Sequence, residues 1–387
     1  MSTYAPLPVT FEKGEGVWLY DTDGNKYLDA LTGIAVCGLG HAHPDVTRTI
    51  AEQTGRLMHT SNFYHIAHQE ALGEKLASMS GMDACFFTNS GAEANECAIK
   101  LARLYGNRQD IETPTIIVAE GAFHGRTMAT LTATGSRKVR AGFEPLVQGF
   151  VRTPFNDLNA VETIAKNNNS VVAVMVEPVQ GEGGIRVPDE GYLRGLRKIC
   201  DDNGWLLILD EVQTGNGRTG KYFAYQHEGI YPDIVTTAKG LGNGFPIGAC
   251  LAKGTAATLF QPGNHGTTYG GNPLGCATAI TVIDTLIKHN LMERATELGE
   301  RLLQRFRDEL GKNKMINAVR GKGLMIGIEL SRPCGDLMKK ALDKKLLINV
   351  TSDKVVRLLP PLIMTDEEAD LIASSVIDVI QEWTAAQ

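Results

Sequence analysis

Trp205-Leu206-Leu207-Ile208-Leu209-Asp210-Glu211-Val212-Gln213-Thr214-Gly215 opens as an unbroken apolar run and ends on two acids. A run of Leu and Ile without polar alternation is a strand buried on both faces, as in a parallel sheet covered by helices. Downstream, Ile234-Val235 leads into Thr236-Thr237-Ala238-Lys239-Gly240-Leu241-Gly242-Asn243-Gly244. Here a lysine stands among small residues and glycines at the end of a second buried strand. Read alone, such a lysine is more often a solvated loop residue. Paired with Asp210, it suits pyridoxal phosphate (PLP) chemistry, which needs a lysine to form a Schiff base and an acid to keep a pyridine nitrogen protonated.

Working outward, further strands are expected at Ala84–Thr88, Thr115–Ala119 and Val171–Val176, with helical patterns between them. The stretch 92–105 places Ala94, Cys97, Ala98, Leu101 and Leu104 on one helix face. At the N-terminus, two short strands flank an Asp23-Gly24-Asn25 turn. After Gly275 the texture changes: helices to about His289 and over 291–310, a glycine-spaced strand at 323–330, and a last helix opening on the capping box Thr365-Asp366-Glu367-Glu368. That helix carries an apolar stripe of Leu371, Ile372, Val376, Val379 and Ile380. The expected fold is α/β, with a mostly parallel central sheet covered by helices. The expected division is an N-terminal segment over 1–40, a large domain over 41–274 and a smaller α+β domain over 275–387.

Bulk properties exclude several classes. The chain has 387 residues, 43% hydrophobic and 21% charged, with a net charge of -6. No basic stripe marks a nucleic-acid surface, and no apolar run reaches membrane-spanning length. The seven cysteines are odd in number and show no Cys-x-x-Cys spacing, which reads as reduced thiols rather than a disulfide framework or zinc site. No basic n-region or apolar h-region opens the chain, so a cytoplasmic protein is expected.

Four more segments carry candidate chemistry. Thr88-Asn89-Ser90-Gly91-Ala92 joins a strand to a helix, and the N–H groups at that helix start suit a phosphate; a plain Ser90 cap would look the same. In Gly121-Ala122-Phe123-His124-Gly125-Arg126, Phe123 suits stacking on a flat ring and Arg126 suits a carboxylate, although in an isolated segment a core Phe and a surface Arg are the commoner reading. Glu177-Pro178-Val179-Gln180-Gly181-Glu182-Gly183-Gly184 lies where open parallel sheets bind ligands. Its glycines make a loop able to move Glu182. His265-Gly266-Thr267-Thr268-Tyr269 offers hydroxyls among glycines, as a phosphate site or a turn-rich linker. His41-Ala42-His43 lacks a partner acid or cysteine at ligand spacing, so no metal is expected.

Together these segments resemble the class III aminotransferases of fold type I, over nearly the whole chain. The most specific match runs from Leu209-Asp210-Glu211-Val212-Gln213-Thr214-Gly215 through Gly217-Arg218-Thr219-Gly220 to Ala238-Lys239-Gly240. The resemblance implies PLP bound covalently to Lys239, the catalytic residue. It implies Asp210 on the pyridine nitrogen, Gln213 on the ring hydroxyl, and Val212 and Phe123 on the two ring faces. Ser90, Gly91 and Ala92 would bind the phosphate, with Thr268 reaching in from the second subunit of a homodimer. Within the class the pattern Gly33-Ile34-Ala35-Val36 with Leu39-Gly40-His41-Ala42-His43-Pro44 is similar to the acetylornithine and succinylornithine branch. There Gly33 leaves room for an acyl group. Asn216 and Cys37 depart from the usual pattern.

That resemblance further implies small-molecule substrates, an acylated ornithine and 2-oxoglutarate or glutamate, and a place in arginine biosynthesis. Arg126, Glu182, Thr267 and Arg357 would bind them. Arg126 would take the remote carboxylate, and Arg357 the α-carboxylate of glutamate. Glu182 would neutralise Arg357 when the amine donor is bound, because an unpaired buried arginine is costly. Succinylornithine, ornithine and 4-aminobutyrate aminotransferases remain alternatives at this point. A non-catalytic protein of the same fold would lose Lys239, Asp210 or the phosphate loop, and all are present. A nicotinamide dehydrogenase would need Gly-x-Gly-x-x-Gly opening a helix after its first strand, and Gly242-x-Gly244 opens none.

Overall fold

The computed structural model describes residues 1–386. Its centre is a seven-stranded sheet in the order Ala84–Thr88, Gly248–Ala252, Ile234–Thr237, Leu206–Asp210, Val171–Val176, Thr115–Ala119, Phe150–Thr153. Gly248–Ala252 is antiparallel to both neighbours, while the other pairings are parallel. Every residue of Val171–Val176, Leu206–Asp210 and Thr115–Ala119 is buried, as two-sided burial of an apolar run requires. The helix Gly91–Asn107 packs on this sheet. Ser90 caps it, its Oγ accepting from Glu93 N at 3.2 Å.

Seven strands escaped the apolar pattern, among them Leu346–Leu347, Asn349–Thr351 and Val355–Leu358 in the C-terminal part; for the other four the local reason is plain. Gly248–Ala252 is built of Gly, Ala, Cys and Leu, too small in volume to read as a strong apolar run. Phe150–Thr153 is a half-buried edge. Phe11–Glu15 and Ile316–Lys322 carry charges on exposed or half-buried positions.

The N-terminal hairpin forms as expected, Trp18–Asp21 against Lys26–Asp29, with Phe11–Glu15 added outside it. Its other edge pairs in parallel with Leu346–Leu347 from the C-terminal part, so both ends of the chain share one sheet. The second four-stranded sheet is antiparallel: Ile316–Lys322, Met325–Leu330, Val355–Leu358, Asn349–Thr351. Helices Leu291–Leu310 and Asp366–Ala385 pack together, the first also against Ile316–Lys322. Thr365 and Glu368 close the expected capping box. Leu371 leaves the buried stripe and is exposed; Ile372, Val376, Val379, Ile380 and Trp383 form the buried side instead. At 100° per residue, Leu371 and Ile372 fall on opposite sides of the stripe's edge.

Candidate active site

The C-terminal ends of the parallel strands open into one cavity of about 380 Å³. It is lined by Ser90, Gly91 and Ala92 after Ala84–Thr88, by Phe123 and Arg126 after Thr115–Ala119, and by Glu177 and Glu182 after Val171–Val176. Asp210, Val212 and Gln213 follow Leu206–Asp210, and Lys239 follows Ile234–Thr237. Loops that are distant in sequence therefore converge because parallel strands end at one edge.

Asp210 lies at the bottom, buried and firmly held. Its Oδ2 accepts from Asn95 Nδ2 at 2.7 Å and meets His124 Nδ1 at 2.8 Å; its Oδ1 accepts from Val212 N at 3.0 Å. Thr236 Oγ donates to Asn95 Oδ1 at 2.7 Å, and Asn95 Nδ2 also donates to the His124 carbonyl at 2.8 Å. Burial lowers the His124 pKa, but the bond to Asp210 outweighs it and raises the value overall. Beside them, burial pushes the Glu177 carboxyl up to about 7, against the pull of His124 and the two N–H groups, of Phe123 and Gly181, that donate to it at 3.0 Å.

Lys239 has a left-handed φ of 43°, an uncommon state for a side-chain-bearing residue and one found at functional sites. Desolvation lowers its pKa, with help from nearby Arg357 and against Glu182, Asp210 and Glu177. The shift favours the neutral, nucleophilic amine. Asn216 sits under this turn, donating to Thr237 Oγ and to the Ala238 carbonyl. A polar residue at that point is thus a backbone support for the lysine turn.

Close backbone approach shapes two walls. A Cβ on Gly91 would stand 2.7 Å from Val212 Cγ1, and one on Gly181 would stand 2.3 Å from Gln213 Oε1. Glycine lets the helix start meet Val212 and lets the 181 loop meet Gln213. Ser90 Oγ occupies Glu93 N, and helix geometry leaves the Gly91 and Ala92 N–H groups without intrahelical partners. At the mouth the exposed Arg126 stacks its guanidinium over the half-buried Phe123 ring at 5.4 Å.

Arg357 is buried in the strand Val355–Leu358 and meets Glu182 Oε1 at 2.5 Å. The Glu182 loop is less free than its glycines imply. Thr351 Oγ and Ser352 Oγ donate to the Glu182 carbonyl at 2.6 and 3.0 Å, and Arg320 donates to the carbonyls of Gly184 and Ile185. Any displacement of Glu182 is a side-chain rotation.

Thr267 and Thr268 are not brought to this cavity within one chain. They line a separate cleft with His59, Asn62 and Phe63, where Thr267 Oγ accepts from Gly270 N at 3.1 Å and Thr268 is exposed. Sequence reasoning left Asn95, His124, Glu177 and Asn349 without roles. The available signal was polarity in apolar settings: Asn95 and His124 are fully enclosed polar side chains.

The profile of the class-III aminotransferases matches residues 2–380. The chain belongs to this family. An acetylornithine aminotransferase of Nitrosomonas europaea is 58% identical over 380 residues, covering 98% of this chain and 97% of that protein. Among solved structures, an ornithine aminotransferase of Toxoplasma gondii superposes with a TM-score of 0.96 at 33% identity, covering 100% of this chain and 93% of its own. The N-acetylornithine aminotransferase of Stenotrophomonas maltophilia gives a TM-score of 0.86 at 36% identity, covering 100% and 99%.

The cofactor of a class-III aminotransferase is PLP, and this cavity fits it. It supplies a fixed acid, an amine of lowered pKa and a helix N-terminus. Among the described residues Gln213 Oε1 is buried without a partner, which suits a ring hydroxyl; the amide's O and N are interchangeable in such an assignment.

Proposed function

We propose that this chain is a PLP-dependent acetylornithine aminotransferase. It moves the δ-amino group of N2-acetylornithine to 2-oxoglutarate, giving N-acetylglutamate 5-semialdehyde and glutamate, and serves arginine biosynthesis. The observation that carries the reading is a buried arginine neutralised by a half-exposed acid beside the catalytic lysine. That arrangement serves a site that must admit a substrate with a carboxylate on the reacting carbon and then one whose reacting carbon carries none.

When bound, the cofactor supplies a carbonyl that takes the donor's amine and a ring that accepts electron density from the reacting carbon. Asp210 holds the ring nitrogen's proton, and Asn95 and His124 fix the carboxylate that does so. Lys239 would anchor the cofactor and, as a free amine of lowered pKa, would carry the proton to and from the carbon bearing the amine. Ser90, Gly91 and Ala92 hold the phosphate, Gln213 the ring hydroxyl, and Val212 and Phe123 enclose the ring. Arg126 takes the remote carboxylate of either substrate. Glu182 covers Arg357 for the acyl donor and swings away for glutamate, so that no buried guanidinium stays unpaired.

The functional unit is a homodimer. Phe63 lines the cleft that holds Thr267 and Thr268 and is exposed, as are its near neighbours in sequence Leu57, Met58 and Tyr64 and, next to Thr268, Tyr269, which supports burial by a second copy. There Thr268 of each chain serves the neighbour's phosphate and Thr267 lies near the neighbour's substrate. No helix among the described residues is long and apolar enough to cross a membrane. All seven cysteines are free, which supports a cytoplasmic setting.

Two measurements test this. Borohydride reduction and peptide mapping should put the pyridoxyl adduct on Lys239; an adduct elsewhere removes the assignment. A panel of N2-acetylornithine, N2-succinylornithine, ornithine and 4-aminobutyrate with 2-oxoglutarate should give the highest kcat/KM for the first. Preference for ornithine or 4-aminobutyrate would overturn the substrate reading.

A further inference from the structure

Arg357 has two side-chain partners of different kinds. Nη1 donates to Glu182 Oε1 at 2.5 Å, and Nη2 donates to Asn349 Oδ1 at 2.7 Å; Nε is buried without a partner. The Glu182 side chain is 37% exposed and lines the cavity, so it can rotate out. Asn349 is placed differently: it is half-buried and outside the cavity lining. It stands directly opposite Arg357 on the antiparallel strand Asn349–Thr351, and its amide nitrogen faces Met338 Sδ at 3.9 Å. One partner of the arginine is therefore built to come and go, and the other is tied to its strand.

We propose that Asn349 is a positioning residue that determines dual specificity. It holds the Arg357 guanidinium in the carboxylate-binding orientation during the interval when Glu182 has rotated away. The proposal rests on the reading above that Glu182 releases Arg357 for glutamate. The physical need is plain. A guanidinium binds a carboxylate through a planar fork, and the fork works only if its plane is fixed beforehand. With the acyl donor bound, Glu182 itself fixes Arg357. With glutamate bound and Glu182 rotated away, Asn349 is, among the described residues, the remaining side-chain partner of Arg357 and sets the plane. Removing Asn349 therefore harms one half-reaction and spares the other, which general damage to the fold would not do.

The test follows single turnovers of the holoenzyme from the cofactor's absorbance, with glutamate and with N2-acetylornithine, for the wild type, Asn349→Leu, Asn349→Asp and Glu182→Gln. Asn349→Leu should raise the concentration of glutamate giving half-maximal rate about tenfold, the value of one hydrogen bond to a charged group, with the maximal rate nearly kept. The N2-acetylornithine half should stay within about twofold of wild type on the same grounds. Asn349→Asp places a fixed carboxylate on Arg357. It should weaken glutamate as well, and in the Glu182→Gln background it should restore the N2-acetylornithine half-reaction. If Asn349→Leu slows both halves alike or neither, while Glu182→Gln separates them, the role of Asn349 is wrong and the switch stands. If Glu182→Gln does not separate the halves, the switch itself is wrong and the role of Asn349 falls with it. Should Asn349→Leu not fold, the Asn349→Asp rescue decides alone: no restoration overturns the proposal.

Discussion

Glu177 shows how far a single buried group departs from what its type implies. Burial carries its pKa from the ordinary glutamate value of 4.5 to about 7. Between those values the folded chain keeps a proton that the unfolded chain has released. The stability contributed by the protonated form is complete below the unfolded value and is lost as pH rises through the folded one. Glu177→Gln cannot ionise, so its stability relative to wild type should rise between pH 5 and pH 8, by up to roughly 3 kcal/mol. Denaturant melts of both proteins at the two pH values check this; a constant difference would count against it. The same comparison shows what is legible at this scale. Lys239 and Asp210 stand at the ends of apolar runs, where a charge has no packing reason to be, and sequence alone marks them. His124 and Asn95 matter because they meet a carboxylate 86 and 115 positions downstream. Only the fold makes that meeting: polarity in an apolar setting marks the two residues, but not the carboxylate they meet.

Elements were legible where volume or chemistry is strong. The fully apolar strands and the long C-terminal helices fall where periodicity puts them, and the Thr365 box marks its helix start. Weak signals were small or charged strands such as Gly248–Ala252 and Ile316–Lys322, whose pairing comes from neighbours rather than from their own hydrophobicity. Two elements yield predictions. At the helix Gly91–Asn107, Gly91→Ala should keep the helix, because alanine is the better helix former. Its Cβ would nevertheless push on Val212 Cγ1 from 2.7 Å, in the wall proposed to hold the cofactor ring. PLP affinity should fall about tenfold, near 1.4 kcal/mol, in a titration followed by absorbance. Unchanged affinity would mean that this wall does not touch the cofactor. At the last helix, Thr365→Ala removes the acceptor for Glu368 N, which lies 3.2 Å away. Stability should drop by about 1 kcal/mol with kcat/KM unaltered, since this cap lies outside the cavity lining. A large loss of activity at full cofactor occupancy would point to an unrecognised link between that helix and the site.

At the scale of the molecule, the two ends of the chain close on one sheet while the cavity stays open on the side of the parallel strands. On the reading proposed above, the phosphate takes a further hydroxyl from the partner, because within one chain Thr268 is exposed in its own cleft, away from Ser90 and Gly91. Sequence pattern names such a residue but cannot say whose site it serves, because both copies carry the same pattern. Mixed dimers separate the two cases. If Thr268 acts within its own chain, a hybrid of Lys239→Ala and Thr268→Ala subunits carries one lesion in each site and gains nothing. If Thr268 of the partner subunit acts, the hybrid gathers both lesions into one site and leaves the other intact. Random mixing in equal amounts makes about half of the dimers hybrids, so about a quarter of wild-type activity per chain should reappear. The parental Thr268→Ala dimer must first be clearly impaired, and a tag on each subunit must show that hybrids form. Hybrids that form and recover no activity would assign Thr268 to its own chain and leave the phosphate to the helix N-terminus alone.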